Sequence, residues 1–318
     1  MKVLILSEHD VTELLTMKEC IGVMEEALTA LANGEVVNPL RNLVRGNGVP
    51  SILGLMPAWR GGASPVYGLK EVCVFPGNPA RGLDTHLGAV LLHSGETGEL
   101  LAIVNAAAVT AIRTAAVSAV ATRLLAREDA STLAILGAGV QARTHLEAIR
   151  LVRNINDVRV YSRTRQKAEA LGRAVDSAEE AVRGADIIVT ATSSKEPVLK
   201  REWVSPGAHI NAVGSSIASA RELDGATVAV ASLFVDRRES TVNESGDYLF
   251  ALREGAIGGP EHIRAEIGEL LTGRAEGRKS AEEITLFKSL GLAVEDLAAA
   301  AFLYEKTRLL GRGVSVEF

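Results

Sequence analysis

Cysteine is nearly absent: Cys20 and Cys73 are the only two in 318 residues. Two thiols so far apart fit a reduced intracellular protein better than a disulfide scaffold. A basic excess is also missing. With 34 lysines and arginines against 39 aspartates and glutamates, the formal net charge is −5, so neither nucleic acid nor an anionic membrane is an expected partner. No uncharged apolar run reaches the length of a membrane span. The opening MKVLILSEHDV is too short in its apolar part for a signal-peptide core, so the expected location is the cytoplasm. Repeats and low-complexity tracts do not occur. The histidines (His9, His86, His93, His145, His209, His262) lack metal-ligand spacing, so no metal site is expected. No G-x-S-x-G or comparable nucleophile motif appears.

What is present is an ordinary globular composition, 47% hydrophobic and 23% charged, long enough for two domains. Residues 17–33 have helical periodicity and end at Gly34, a C-cap signal. Residues 66–75 read as a strand, and GAVLLH and ELLAIVN around SGETG read as a β-hairpin. This first third predicts an α+β domain with an antiparallel or mixed sheet. Near residue 110 the character changes. A small-residue helix over 109–126 precedes short apolar strands (TLAILG, VRVYS, DIIVTATS, HINAVGS, LFVD) separated by helical or loop segments, an alternation that predicts a doubly wound parallel sheet. HIRAEIGELLTGR then reads as a helix, ITLFKSLG as a strand and AVEDLAAAAFLYEKTRLLG as a long helix. The expected fold class is α/β: a Rossmann-type domain over 113–292, and a discontinuous α+β domain for substrate binding and dimerisation formed by 1–112 with 293–318.

The strongest local signal is TLAILGAGVQARTHLEAI. Gly137, Gly139 and Ala142 form G-x-G-x-x-A, following an apolar strand and opening a helix through Val140 and Gln141. That context suits a dinucleotide: a tight turn, a backbone the pyrophosphate can approach, close helix–strand packing, and helix N–H groups for the phosphates. The next strand ends in VYSRT. Where an NAD site usually has an acidic residue for the ribose hydroxyls, this chain has Ser162, Arg163 and Thr164, groups suited to a 2′-phosphate. NADP is therefore the expected cofactor, with NAD possible.

Three cations are candidates for a substrate carboxylate, which arginine grips as a fork and lysine as a point charge. Lys70 interrupts an apolar strand, where an unpaired lysine is costly. Arg113 sits among Ala, Ile, Thr and Val in a helix. Arg41 lies in NPLRNLVRG, with Arg45 as a rival. His86, in LDTHLG, reads as structural rather than catalytic. Asp296, soon after Gly291 at an expected helix start, can cap that helix or face the cofactor, and the structural role is the favoured reading.

Taken in order, GLKEVCVFPGNPARGLDTHLG, TAIRTAAVSAVATRLLA, GAGVQA, NAVGSS…RELD and ITLFKSLGLAVEDLAAAA resemble the ornithine cyclodeaminase/μ-crystallin family from about residue 36 to 303. The resemblance implies a homodimer built through the N-terminal domain and an active site between the domains. It also implies a substrate carboxylate held at Arg41, Lys70 and Arg113, with the lysine near the reacting carbon. Cyclodeaminases of this family carry a glutamate in the strand before M-P and an aspartate after G-G. Here those positions are Gly54 and Ser216, which leaves a substrate's distal amine without an acidic partner.

The expected function is NAD(P)H-dependent reduction of the C=N bond of an α-imino acid, a cyclic ketimine or the imine of a 2-oxo acid and an amine, reversible as amino-acid dehydrogenation. Lys70, its pKa lowered by neighbouring arginines, would be the catalytic proton carrier. The alternatives are an ornithine- or lysine-type cyclodeaminase and a non-catalytic small-molecule binder of the μ-crystallin kind.

Overall fold

The computed structural model describes residues 2–49 and 51–318. The chain divides into two compact units, Met1–Arg113 with Leu292–Phe318, and Thr114–Gly291. Each boundary lies one residue from the division expected at 112/113 and 292/293, so Arg113 groups with the discontinuous unit.

In that unit the strands are β1 (Lys2–Leu6), β2 (Val36–Val37), β3 (Asn42–Arg45), β4 (Ile52–Arg60), β5 (Val66–Val74), β6 (His86–Ser94) and β7 (Leu100–Asn105). The sheet runs from the C-terminal strand Val314–Glu317 through β1, β7, β6, β5 and β4 to β2, with β3 also pairing with β4. It is mixed: β1 and β7 are parallel, and every other pairing is antiparallel. The hairpin between β6 and β7 turns at Gly98, whose φ of +76° suits glycine. Two helices, α1 (Glu8–Leu14) and α2 (Met17–Ala32), start at capping boxes, Ser7 with Asp10 and Thr16 with Glu19. A third, α3 (Ala106–Leu125), crosses the boundary between the units.

The C-terminal helix, Ala293–Leu310, packs on β4, β5, β6 and α2. Gly68 of β5 permits this: a Cβ there would lie 2.6 Å from Leu297 Cδ1. Side chains alternate along strands, and directly paired residues share a face. The pairings Gly54↔Val72↔Gly88 and Met56↔Lys70↔Val90 therefore form neighbouring rungs on one face, and Lys70 is buried on it.

The second unit contains β8 (Thr132–Leu136), β9 (Asp157–Tyr161), β10 (Arg173–Ala174), β11 (Ile187–Thr190), β12 (His209–Ala212), β13 (Ser232–Val235), β14 (Ile263–Glu266) and β15 (Thr285–Lys288). They pair in the order β10-β9-β8-β11-β12-β15-β13-β14, parallel throughout. Helices α4 (Val140–Arg150), α5 (Arg165–Glu169), α6 (Ala178–Val182), α7 (Gly225–Val230), α8 (Arg238–Glu244), α9 (Gly246–Arg253) and α10 (Ile267–Leu271) connect them. This is the Rossmann-type doubly wound sheet, with a switch point between β8 and β11. The segment HIRAEIGELLTGR departs from expectation. Its first half is the edge strand β14, because Ile263 and Ala265 are buried in alternation with Arg264 and Glu266. Only Ile267–Leu271 is helical.

The C-terminal carbonyls of α3 would be left without partners in a buried setting. Arg153 serves this end: its guanidinium donates to Thr122 O and Arg123 O of α3 and to Ala126 O and Arg127 O just past it, at 2.8–3.1 Å.

Candidate active site

Two groups of residues are candidates to carry the chemistry, one in each unit.

In the discontinuous unit, Lys70, Arg113, Glu295 and Asp296 form one buried cluster. Lys70 and Arg113 are each 4% exposed, and both carboxylates are fully enclosed. Lys70 Nζ lies 3.0 Å from Asp296 Oδ1 and donates to Thr110 Oγ1 at 2.7 Å. Arg113 Nε donates to the same Oδ1 at 3.1 Å, and its Nη1 to Glu295 Oε2 at 2.7 Å. Two formal cations thus face two formal carboxylates, the balance that makes burial of charge tolerable.

Asp296 was expected to cap its helix. It does not: the N-cap residue is Leu292, with no side-chain cap bond, and the Asp296 carboxylate joins Lys70 to Arg113 instead. The Lys70 pKa also has a different origin from the one expected. Burial, more than the arginines, lowers it to about 8; Asp296 opposes the drop, and the charges of Arg113 and Arg41 add smaller downward contributions. Arg41 immediately precedes β3 and is half-buried; its rival Arg45 is exposed on β3. His86 begins β6 and is exposed at its surface, yet partial loss of hydration and then the Lys70 ammonium hold its imidazole pKa below the ordinary value.

Gly54 lies one rung from Lys70 on the same buried face. A Cβ there would meet Val72 Cγ1 at 3.4 Å and Leu43 Cδ2 at 3.6 Å. The backbone therefore tolerates a side chain at a position where this sequence places none.

In the second unit, Gly137 follows β8 with φ +117°, and a Cβ on it would lie 2.4 Å from Ala191 O. Only glycine fits. Gly139 is the N-cap residue of α4 with no side-chain cap, and a Cβ on it would meet nothing within 4 Å. That side of the turn is open to a ligand, and the first turn of α4 directs backbone N–H groups toward it. Ala142 is fully buried in the helix–sheet packing. These features fit a dinucleotide pyrophosphate at the switch point. Gly137 N donates to Tyr161 O at 2.9 Å, which sets the end of β9 beside the glycine turn. Ser162, Arg163 and Thr164 follow directly. Ser162 Oγ accepts from Thr164 N at 3.2 Å, and Arg163 is exposed.

A further network had no counterpart in the sequence reading. Glu222 is fully enclosed, and burial raises its pKa. It accepts from Thr192 N at 2.6 Å, Thr190 Oγ1 at 2.8 Å and Gly214 N at 2.7 Å. Lys288 is buried beside Asp247 Oδ2 at 2.9 Å and donates to Ser215 O at 2.5 Å. Asp247 Oδ1 accepts from Glu222 N and Leu223 N. Together they fasten the segments that leave β11 and β12, next to Ser216. A lysine inside ITLFKSLG was the available signal, of the same kind that singled out Lys70.

The family model for ornithine cyclodeaminase/mu-crystallin proteins matches residues 1–309. The chain belongs to this family. The mouse ketimine reductase mu-crystallin is 42% identical over 295 residues, covering 90% of this chain and 91% of the relative. A Thermococcus litoralis Δ1-pyrroline-2-carboxylate reductase, solved with NADH and L-proline, is 40% identical with a TM-score of 0.95, covering 99% of this chain and all of that one. An archaeal alanine dehydrogenase dimer with bound NAD is 37% identical with a TM-score of 0.94, covering both chains fully.

Proposed function

We propose that this family member is an NAD(P)H-dependent oxidoreductase that reduces the C=N bond of an α-imino acid, reversibly with oxidation of the corresponding amino acid. The observation that carries the reading is Lys70: an enclosed ammonium with a pKa of about 8, fixed by Asp296 and Thr110 on a face bordered by the arginines. The nicotinamide, held at Gly137, Gly139, Val140, Gln141 and Ala142, supplies the hydride when bound. Arg41 and Arg113 hold the substrate carboxylate, with the Arg113 fork fixed in direction by Glu295 and Asp296. Lys70 delivers a proton to the substrate nitrogen during reduction and takes one back during oxidation, directly or through water. A donor whose pKa sits near neutrality can do both. The kinship with the pyrroline-2-carboxylate and ketimine reductases supports a cyclic ketimine as substrate. The archaeal dimer, together with exposed Leu43, Val44, Tyr67 and Leu87 on the discontinuous unit, supports a homodimer.

Cyclodeamination is the competing reading. In the structure Glu295 and Asp296 already neutralise Lys70 and Arg113. What still weighs against it is position. Both carboxylates are enclosed and engaged with those cations, Gly54 has no side chain, and a serine hydroxyl at Ser216 is too weakly basic to deprotonate a distal amine. L-Ornithine with a catalytic amount of NAD⁺ or NADP⁺ should yield no proline by chromatography. Δ1-Pyrroline-2-carboxylate should consume NADPH at the nicotinamide absorbance band. Efficient proline formation without net cofactor change would overturn the proposal.

NADPH should bind more tightly than NADH, because a hydroxyl, a guanidinium and a second hydroxyl stand where NAD sites carry an acid. Fluorescence titration compares the two. Arg163→Ala should weaken NADPH alone, by about 1–3 kcal/mol for one lost charge-assisted contact. Equal affinity for the two cofactors in the wild type would refute the preference.

A further inference from the structure

Lys70 has three N–H donors. Two are accounted for, one toward Asp296 Oδ1 and one on Thr110 Oγ1. Thr110 cannot return the bond, because its own hydroxyl proton goes to Ala106 O at 2.6 Å. The hydroxyl is thereby locked as an acceptor toward the lysine. Asp296 Oδ1 is shared between Lys70 Nζ and Arg113 Nε, while Oδ2 is buried with no hydrogen-bond partner among the described residues. Neither the cap expected of Asp296 nor simple ion-pairing accounts for a carboxylate turned so that one oxygen serves two cations.

We infer that Asp296 and Thr110 form a two-point cradle for Lys70, with Asp296 as the positioning residue that keeps the ammonium protonated and its third N–H directed at the substrate nitrogen. The inference rests on Lys70 as the proton carrier proposed above and adds what holds it there. The charged and titratable groups around Lys70 come from every packed element: Asp296 and Glu295 from the C-terminal helix, Arg113 from α3, Arg41 from the segment before β3, and His86 from β6. Cys20 of α2 lies near Arg113, Glu295 and Asp296, its thiol pushed up by burial. Of these, Asp296 is the group that favours the charged lysine by direct contact, while Arg113 and Arg41 disfavour it. Removing the Asp296 charge must therefore make the proton easier to lose.

The test is the pH dependence of kcat/KM for imine reduction, with Δ1-pyrroline-2-carboxylate and saturating NADPH. In the wild type the rate falls above a limb near pH 8, as Lys70 loses its proton. In Asp296→Asn that limb moves to lower pH by about one unit or more, the scale of a lost contact charge. The rate at pH 7.5 drops by roughly threefold or more, while the NADPH dissociation constant, read by fluorescence, stays within about twofold. A folded Asp296→Asn with an unmoved limb overturns the inference. If that variant does not fold, Thr110→Val supplies the second reading: it matches threonine in shape but offers no acceptor, and should lower kcat by about tenfold, with Thr110→Ser restoring the rate. Wild-type rates in both threonine variants overturn the cradle. Failure of the underlying reading is separable, because it alone predicts that Lys70→Met retains the wild-type rate and limb.

Discussion

Lys70→Met should reduce kcat for imine reduction by about 10²- to 10⁴-fold, the usual contribution of a positioned proton donor, with dinucleotide affinity unchanged. Methionine matches the length of the lysine stem and fills the same buried site between Met56 and Val90, so packing is kept while the proton is lost. The substitution leaves two enclosed carboxylates facing Arg113 alone, so thermal unfolding must accompany the assay to show that the variant is folded. Single-turnover measurements with saturating NADPH separate the outcomes. A fall in kcat and kcat/KM together marks proton transfer. A rise in KM alone would reduce Lys70 to a carboxylate ligand and refute the catalytic assignment.

Arg113→Leu should be as damaging, for a different reason. The guanidinium holds Glu295 Oε2 at 2.7 Å and Asp296 Oδ1 at 3.1 Å, and both carboxylates are fully enclosed. Removing one partner of a buried pair leaves charge without compensation, a cost of about 3–5 kcal/mol. That is a large part of the stability of a typical domain. Thermal and urea unfolding should show the loss before any assay is run, and lost turnover in this variant would not by itself prove carboxylate binding. Arg113→Lys, which keeps a positive charge but loses the fork, is the informative companion. It should retain most of the stability yet raise KM for the imino acid, because a point charge cannot replace bidentate recognition. Wild-type stability in Arg113→Leu would show that the cluster is held by other means.

Much of this was readable before the fold. The dinucleotide turn declared itself because two glycines fell between an apolar strand and a helix with a small residue, Ala142, in its first turn, and the turn's own geometry demands glycine at 137. Lys70 and Arg113 stood out because charge in an apolar element must find a partner. Their partners did not stand out. Glu295 and Asp296 occupy the first turn of a helix, where acids ordinarily cap or answer the helix dipole, so the local explanation sufficed. Only tertiary packing, which encloses AVEDLAAAA on nearly all sides, makes the cap reading untenable. The rule that flagged Arg113 would have flagged this acidic pair, had the helix been recognised as enclosed. Glu222 and Asp247 were hidden for a related reason. They act through backbone N–H groups of distant segments, and backbone amides leave no trace in side-chain identity. The β14 segment misled because Ile263, Ile267, Leu270 and Leu271 fall at i, i+4, i+7 and i+8, a helical period that masks the alternation of Ile263 and Ala265.

The discontinuous unit has a further consequence, for the order in which a ribosome makes it. Lys70 precedes Asp296 by 226 residues, and at about 5–20 residues per second the interval is on the order of 10–45 s. During that time the whole of Thr114–Gly291 is synthesised and can fold, while the sheet from β1 to β7 waits without its covering helix. The lysine destined for burial has no counter-charge, and the face that will meet Leu297 is bare. The last helix therefore acts as a completion signal. A nascent or truncated chain lacking it presents an apolar sheet with a lysine at its centre, the kind of surface that chaperones retain, whereas the finished chain covers that surface and neutralises the charge at one stroke.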